Sequence, residues 1–217
     1  MIAPRPVDED AITDAARLLS EGRLAILPTD TVYGIAADVR QDRAVAAIPA
    51  AKGRDAGMPL QLLFDSEMRR IEKYAVLSEP VSRLIEALGV GAWTIIAVAA
   101  ARWTSPALAG GRTVGFRIPA SPVVHHIVGL LDAPLAASSA NRHGHPSPTS
   151  CADAIAEVGE SCAIALDDGP TMAGVDSTVI DCSGAATVIL REGAIDRQTV
   201  ARILGITDIP VIRSVRQ

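Results

Sequence analysis

The stretch Leu24-Ala25-Ile26-Leu27-Pro28-Thr29-Asp30-Thr31-Val32-Tyr33-Gly34 joins a short apolar run to a polar turn. Four aliphatic residues that end at a proline predict a buried strand over 24–27. The turn that follows carries two threonine hydroxyls and a carboxylate. Turns at the ends of strands are where sheet proteins gather their ligands. This stretch therefore predicts a sheet protein with a ligand site at its strand ends.

Five further segments repeat this design along the chain. Each places small, hydroxyl-bearing or cationic residues in a turn next to an apolar element. They are Lys52-Gly53-Arg54, Arg117-Ile118-Pro119, Ser138-Ser139-Ala140-Asn141, Asp176-Ser177-Thr178 and Arg191-Glu192-Gly193.

The hydrophobic periodicity predicts strands that alternate irregularly with helices, and some strands that adjoin each other. Helices are predicted at 8–21, 42–51, 66–73, 79–88, 121–131, 149–158 and 196–204. The other strands are predicted at 60–64, 93–99, 113–118, 135–137, 163–166, 177–181 and 186–190. Ser183-Gly184 marks a hairpin between the last two. We expect an α/β (mixed α+β) fold in a single domain over 1–205, with a short tail at 206–217 that hangs free.

The composition narrows the class of protein. The 217 residues are 49% hydrophobic and 21% charged, which excludes a disordered chain. The net charge of −5 excludes a global basic field for nucleic acid but not a local basic cleft. The uncharged apolar run Leu88–Ala101 is too short to span a membrane, so no membrane partner is expected. Three cysteines without a C-x-x-C motif favour a reduced, cytoplasmic protein.

Lysine and asparagine, two residue types that are rare in this chain, both occur in these turns. Lysine occurs only at Lys52 and Lys73, so Lys52 indicates a need for a compact ammonium. Lys52 and Arg54, with a glycine between them, can both aim at one polyanion. The alternative is an exposed basic helix terminus, favoured by the helix dipole.

The single asparagine, Asn141, lies in the turn Ser138–Asn141. Its hydroxyls, carboxamide and backbone amides suit phosphate oxygens, and the alternative is an ordinary polar turn or helix cap. The chain has no G-x-S-x-G, Walker A or G-x-G-x-x-G sequence, so a nucleophilic serine and the common nucleotide motifs are unsupported. His143 and His145 lack an evident third ligand, so no protein-held metal is expected.

In this order and spacing, the six segments resemble the YrdC-like family of threonylcarbamoyl-adenylate synthases over about residues 10–205. The matching motifs are Pro28–Ile35, Lys52-Gly53-Arg54 with Pro59-Leu60, Arg117-Ile118-Pro119, Ser139-Ala140-Asn141 with Pro146–Thr149, Ser177–Asp181 and Arg191–Ile195. The resemblance implies a twisted, open mixed sheet flanked by helices, with a deep, positively charged cleft. It also implies that L-threonine, bicarbonate or CO2, and ATP with Mg2+ give threonylcarbamoyl-AMP and pyrophosphate. A separate transferase complex would then use the product to modify adenosine 37 of tRNA.

The resemblance assigns roles to residues of this chain. Lys52 and Arg54 are expected to be catalytic, and Tyr33 to pack beneath the site. ATP is expected to contact Lys52, Arg54, Met58, Thr113, Ser139, Asn141, Ser147 and Arg191. Threonine is expected to contact Thr31, Arg117, Ala137 and Ser177.

Four positions depart from the family pattern: Met58, Leu63, Gly91 and Asp176. Some members have an asparagine at Met58 and a histidine around Leu63. These departures bear on the amino acid that is accepted more than on adenylation.

Two other functions remain open at this point. One is a carbamoyl-adenylate-forming relative, which would use carbamoyl phosphate. The other is a double-stranded RNA-binding protein, with weak RNA binding in the cleft. RNA affinity would fall steeply with salt, whereas the synthase reaction would depend on threonine.

Overall fold

The computed structural model describes residues 2–68, 70–171 and 176–212. In these ranges, ten strands form one mixed sheet in the order β1-β8-β2-β3-β7-β4-β6-β5-β9-β10. The strands are β1 Pro4–Pro6, β2 Ala25–Leu27, β3 Gly34–Asp38, β4 Gln61–Leu63, β5 Trp93–Val98, β6 Thr113–Arg117, β7 Leu135–Ser139, β8 Ile164–Asp167, β9 Thr178–Asp181 and β10 Val188–Arg191. The expected mixed α/β architecture is confirmed.

Six α-helices flank the sheet within the described residues. They are α1 Glu9–Ser20, α2 Asp42–Ala51, α3 Glu79–Leu88, α4 Pro122–Leu131, α5 Cys151–Val158 and α6 Arg197–Leu204. Short polar side chains begin several of them: Asp8 caps α1 by accepting the Ala11 N–H at 2.6 Å, and Ser121 and Ser150 cap α4 and α5. Helix α1 packs on α4, and α3 packs on α6. None of the helices described is long and apolar enough to cross a membrane.

The two faces of the central sheet differ in side-chain size. Strand register aligns a fully buried row on one face: Ala136, Leu62, Phe116, Ile95 and Ile180. The neighbouring row, on the opposite face, is Ala36, Ala137, Gln61, Gly115, Ile96 and Asp181. Because side chains alternate across a strand, the first row packs in the core on one face and the second row lies on the other face. Ala36, Ala137 and Gly115 leave a trough on that second face, and Ala137 and Gln61 line the cleft described below.

Several sequence expectations differ from the structure. Strand β1 is absent from the predicted strands, because two of its three residues are prolines, which disfavour a strand. Strand β3, a central and completely buried element, was not predicted, because its sequence Gly-Ile-Ala-Ala-Asp lacks both period-2 alternation and a run of large aliphatic residues. The helix predicted at 66–73 is wrong: Met68 and Arg70 have φ of 50° and 66°, which a right-handed helix cannot contain, and only a 3-10 turn remains at Ile71–Lys73.

The free C-terminal tail is also wrong for residues 206–212. Ile209 is fully buried, and Val211 forms a parallel bridge with Ile189 of β10. The Ile189 N–H donates to Pro210 and the Ile189 carbonyl accepts from Ile212, each at 2.8 Å. This segment therefore extends the sheet beyond its last strand. Residues 213–217 lie outside the described ranges.

Candidate active site

A cleft with a cavity volume of about 220 Å³, partly open to solvent, lies over this second face of the sheet. Seven of the predicted site residues line it: Thr31, Arg117, Ala137, Ser139, Ser147, Ser177 and Arg191. The structure thus brings together residues that are up to 160 positions apart in the chain.

Arg117, at the end of β6, is held rigidly in the wall of the cleft. Its Nη1 donates to the Thr31 hydroxyl at 2.8 Å, its Nη2 donates to Asp30 at 2.5 Å, and its Nε donates to the Gly91 carbonyl at 3.0 Å. Its side chain is 4% exposed. Burial lowers the pKa of the guanidinium, while Asp30 acts in the opposite direction. Three of its five N–H groups are used, which leaves two donors for a ligand.

Lys52, just after α2, reaches the turn at the end of β7. Its Nζ donates to the Ser139 carbonyl and, at 2.6 Å, to the Asn141 carbonyl. A backbone hydrogen bond also joins this turn to Lys52: the His143 N–H donates to the Lys52 carbonyl at 2.8 Å. Burial, reinforced by the charge of Arg54, lowers the pKa of Lys52 to about 8. None of its described contacts is to a carboxylate, so the ammonium can still attract an anion.

Arg191, in β10, closes the opposite side of the cleft. Its Nε donates to the Ser177 carbonyl at 3.0 Å, its Nη2 to the Ser177 hydroxyl at 3.2 Å, and its Nη1 to Asp176 at 3.1 Å. Gly193 permits this approach, because a Cβ there would lie 2.2 Å from the Asp176 carbonyl oxygen. A glycine two residues after the arginine is therefore required by close backbone packing.

Sequence reasoning missed a polar chain on the cleft floor. The Thr94 hydroxyl lies 2.9 Å from the Ser177 hydroxyl and donates to Gln61 Oε1 at 3.1 Å. Both Gln61 and Thr94 line the cleft. A signal was present, because each is a polar residue inside an otherwise apolar strand, in Leu60-Gln61-Leu62 and in Trp93-Thr94-Ile95. Asp30 was also missed as the charged partner of Arg117.

Five predicted residues do not line the cleft itself: Lys52, Arg54, Met58, Thr113 and Asn141. Lys52 and Asn141 lie directly behind its Ser139 wall. The Arg54 Nη2 donates to the Met58 carbonyl at 3.3 Å, and its Nε is buried without a hydrogen-bond partner. Thr113 lies on the cleft face of β6, four residues before Arg117, which is about 13 Å along a strand.

The departures from the family pattern lie at the same site. Leu63 and Asp176 line the cleft, and Gly91 supplies the carbonyl that fixes the Arg117 Nε. Met58 lies outside the cleft and contributes a carbonyl to Arg54.

Tyr33 ties the loops of the site together. It is fully buried, and its hydroxyl donates to the Gly169 carbonyl at 2.6 Å. Its backbone N–H donates to Pro148 and its carbonyl accepts from Ala140, each at 2.9 Å. Burial raises the pKa of its phenol to about 12. Tyr33 thus fixes the positions of the turns that carry Ser139 and Ser147.

Known proteins are similar to this chain in both architecture and sequence. The family model Sua5/YciO/YrdC, described as "Telomere recombination", matches residues 17–193. The chain belongs to this family. A protein of Mycobacterium tuberculosis named putative threonylcarbamoyl-AMP synthase is 36% identical over 198 residues, which are 90% of this chain and 89% of that protein.

Longer relatives match as well. The threonylcarbamoyl-AMP synthase of Bacillus subtilis is 32% identical over 91% of this chain, which spans 58% of that protein. The crystal structure of Pyrococcus abyssi Sua5 complexed with L-threonine has a TM-score of 0.90 and 31% identity, and covers 98% of this chain and 62% of that one. The expected family membership is confirmed.

Proposed function

We infer that this chain forms threonylcarbamoyl-AMP and pyrophosphate from L-threonine, bicarbonate or CO2, and ATP. The observation that carries this inference is that one cleft is lined by two arginines and backed by a lysine. Arg117 and Arg191 line the cleft, and Lys52 lies behind its Ser139 wall. The relative from M. tuberculosis, which matches this chain over most of both lengths, has the corresponding name.

The end of the cleft at Arg117 suits the substrate L-threonine. Two free guanidinium donors match the two oxygens of a carboxylate, and the fixed position of the side chain makes the match specific. We assign the threonine contacts to Thr31, Arg117, the backbone at Ala137, and Ser177. A solved relative, P. abyssi Sua5, is titled as a complex with L-threonine, which supports this substrate.

The end of the cleft near Lys52 suits the triphosphate of ATP. The Lys52 ammonium has three N–H groups and makes two close bonds to carbonyls. Its other contacts, to the Ser139 hydroxyl and to Asn141 Oδ1, are long at 3.4 Å, so a phosphate oxygen can replace them. Arg54 has a buried Nε without a partner, which an anion would satisfy. We assign the remaining phosphate contacts to Ser139, Asn141, Ser147 and Arg191. Met58 and Thr113 stay predictions for the nucleotide, at positions outside the cleft.

The reaction makes specific demands on the cleft. The neutral threonine amine adds to CO2 and loses a proton, which gives an N-carboxylate. One oxygen of that carboxylate attacks the α-phosphorus, the bond to the bridging oxygen breaks, and pyrophosphate leaves with the electron pair. Lys52 and Arg54 would stabilise the charge on the leaving group, and the walls would keep the two reactants in line. An N-carboxylate is short-lived in water, so shelter from solvent is required.

We propose that Mg2+ arrives with ATP and is held mainly by phosphate oxygens and water. The chain's own groups fit that arrangement. Asp176, which lines the cleft, and Asp30, the partner of Arg117, are both engaged by arginines.

The product is a labile mixed anhydride, and we propose that a tRNA threonylcarbamoyl-transferase complex consumes it. The three cysteines are buried and unpaired, which fits a reducing cytoplasmic compartment.

The test is to incubate the protein with ATP, Mg2+, bicarbonate and L-threonine and to detect threonylcarbamoyl-AMP by mass spectrometry. We expect the product only when threonine is present. Product formation from carbamoyl phosphate without threonine would instead identify a carbamoyl-adenylate-forming enzyme. Salt-sensitive binding of double-stranded RNA without adenylate formation would identify an RNA-binding protein.

A further inference from the structure

A carboxylate outside the cleft contacts the turn that holds Lys52. Glu157 lies near the end of α5, and its side chain is 26% exposed. Its Oε2 accepts the backbone N–H of Arg142 at 2.8 Å and lies 2.9 Å from His145 Nδ1. Its own backbone carbonyl accepts the Arg142 Nε at 3.1 Å. Two residues of the turn are thus fixed to one glutamate.

The turn itself is closed by Asn141. The Asn141 carboxamide donates to the Arg142 carbonyl at 2.9 Å and to the His145 carbonyl at 2.7 Å. Its backbone carbonyl accepts from Lys52. A continuous path of hydrogen bonds therefore runs from the carboxylate of Glu157 through the turn to the ammonium of Lys52.

We propose that Glu157 is a positioning residue for the triphosphate end of the active site. By holding the Arg142 amide and the His145 ring, it fixes the turn whose carbonyls orient the Lys52 ammonium. A charged acceptor is suited to this task, because hydrogen bonds to ionised groups are the stronger kind. Supporting contacts of this type keep a binding group within a fraction of an ångström of its productive position.

The same contacts predict selectivity between the two substrates. Arg117, Thr31 and Ser177, at the threonine end, make no described contact with the 141–145 turn. Removal of Glu157 should therefore weaken ATP binding and leave threonine binding almost unchanged. A general loss of structure would weaken both.

The inference rests on the proposed function for its ligands, and the experiment separates the two. We would compare Glu157→Ala, Glu157→Gln and the wild type by calorimetry with Mg-ATP alone and with L-threonine alone. Amide hydrogen exchange at Arg142 would be followed in the same proteins. Glu160→Ala is the matched control, because Glu160 is an exposed glutamate three residues further on.

We expect Glu157→Ala to raise the Kd for ATP about tenfold, to change the Kd for threonine less than about twofold, and to accelerate exchange at Arg142. Glu157→Gln should recover most of the affinity, since an amide oxygen still accepts the Arg142 N–H. Glu160→Ala should match the wild type. An unchanged Kd for ATP in Glu157→Ala, or an equal loss for both ligands, would overturn the proposal. If the wild type binds neither ligand, the proposed function fails, and the exchange rate at Arg142 still decides whether Glu157 holds the turn.

Discussion

Lys52 should make the stability of the folded chain rise with pH in a defined window. Its ammonium is buried with 3% relative exposure, and its pKa falls from 10.5 to about 8 on folding. Between these two values the unfolded chain binds more protons at Lys52 than the folded chain does, so the free energy of unfolding increases with pH. Protonated Lys52 destabilises the fold by about 3 kcal/mol at pH 7 and about 2 kcal/mol at pH 9, so the free energy of unfolding rises by roughly 1 kcal/mol over this interval.

The measurement is urea unfolding at pH 7 and pH 9 for the wild type and for Lys52→Gln, whose amide can still donate to the Ser139 and Asn141 carbonyls. Burial raises the pKa of the thiols of Cys151, Cys162 and Cys182, which acts in the opposite direction above pH 9, and both proteins share that effect. The free energy of unfolding of the wild type should therefore rise by roughly 1 kcal/mol more than that of the variant over this interval. Lys73→Gln, which removes an exposed lysine, is the control. Equal pH dependence of wild type and Lys52→Gln within about 0.3 kcal/mol would refute the reasoning.

Three further outcomes follow from the site. Arg54→Ala should abolish pyrophosphate release. The circular dichroism spectrum and the unfolding midpoint should not change, because the described hydrogen bond of the Arg54 side chain is one weak contact to the Met58 carbonyl. Normal turnover would remove Arg54 from the phosphate site. Thr94→Val should raise the KM for threonine several-fold with the KM for ATP unchanged, because it breaks the link between Ser177 and Gln61; steady-state kinetics with each substrate varied decides this. Tyr33→Phe should lower the free energy of unfolding by about 0.5–1.5 kcal/mol, since the hydroxyl of the buried Tyr33 donates to the Gly169 carbonyl and accepts the Asp168 N–H. An unchanged urea midpoint would contradict this.

Seven of the twelve residues that the sequence nominates for the site line one cleft. Four of the six motif segments lie at the end of a strand of one sheet, which could be inferred from apolar runs ending in polar residues, whereas Lys52-Gly53-Arg54 follows helix α2 and Asp176-Ser177-Thr178 leads into β9. The sequence pattern does not predict strand β3, because alanine and glycine contribute little to hydrophobic periodicity. The same small residues leave room for the cleft. The 66–73 segment has helical composition, but tertiary packing places Met68 and Arg70 at positive φ.

The partners of the site residues could not be predicted, because pairing across the sheet depends on register. Gln61, Thr94 and Ser177 become neighbours only when β4, β6, β5 and β9 lie side by side. Likewise, nothing in the local sequence of α5 indicates that Glu157 reaches the turn of Asn141.

Residues 206–212 cover the outer edge of β10, and this should reduce aggregation of the protein in concentrated solution. An uncovered outer strand presents unpaired N–H and C=O groups to any other chain and invites edge-to-edge aggregation. Here the central residue of that strand, Ile189, has both its backbone groups occupied from within the molecule. Shortening the chain at Gly205 would remove the buried Ile209 and expose these groups of β10, so the shortened chain should be less stable and should self-associate at high concentration.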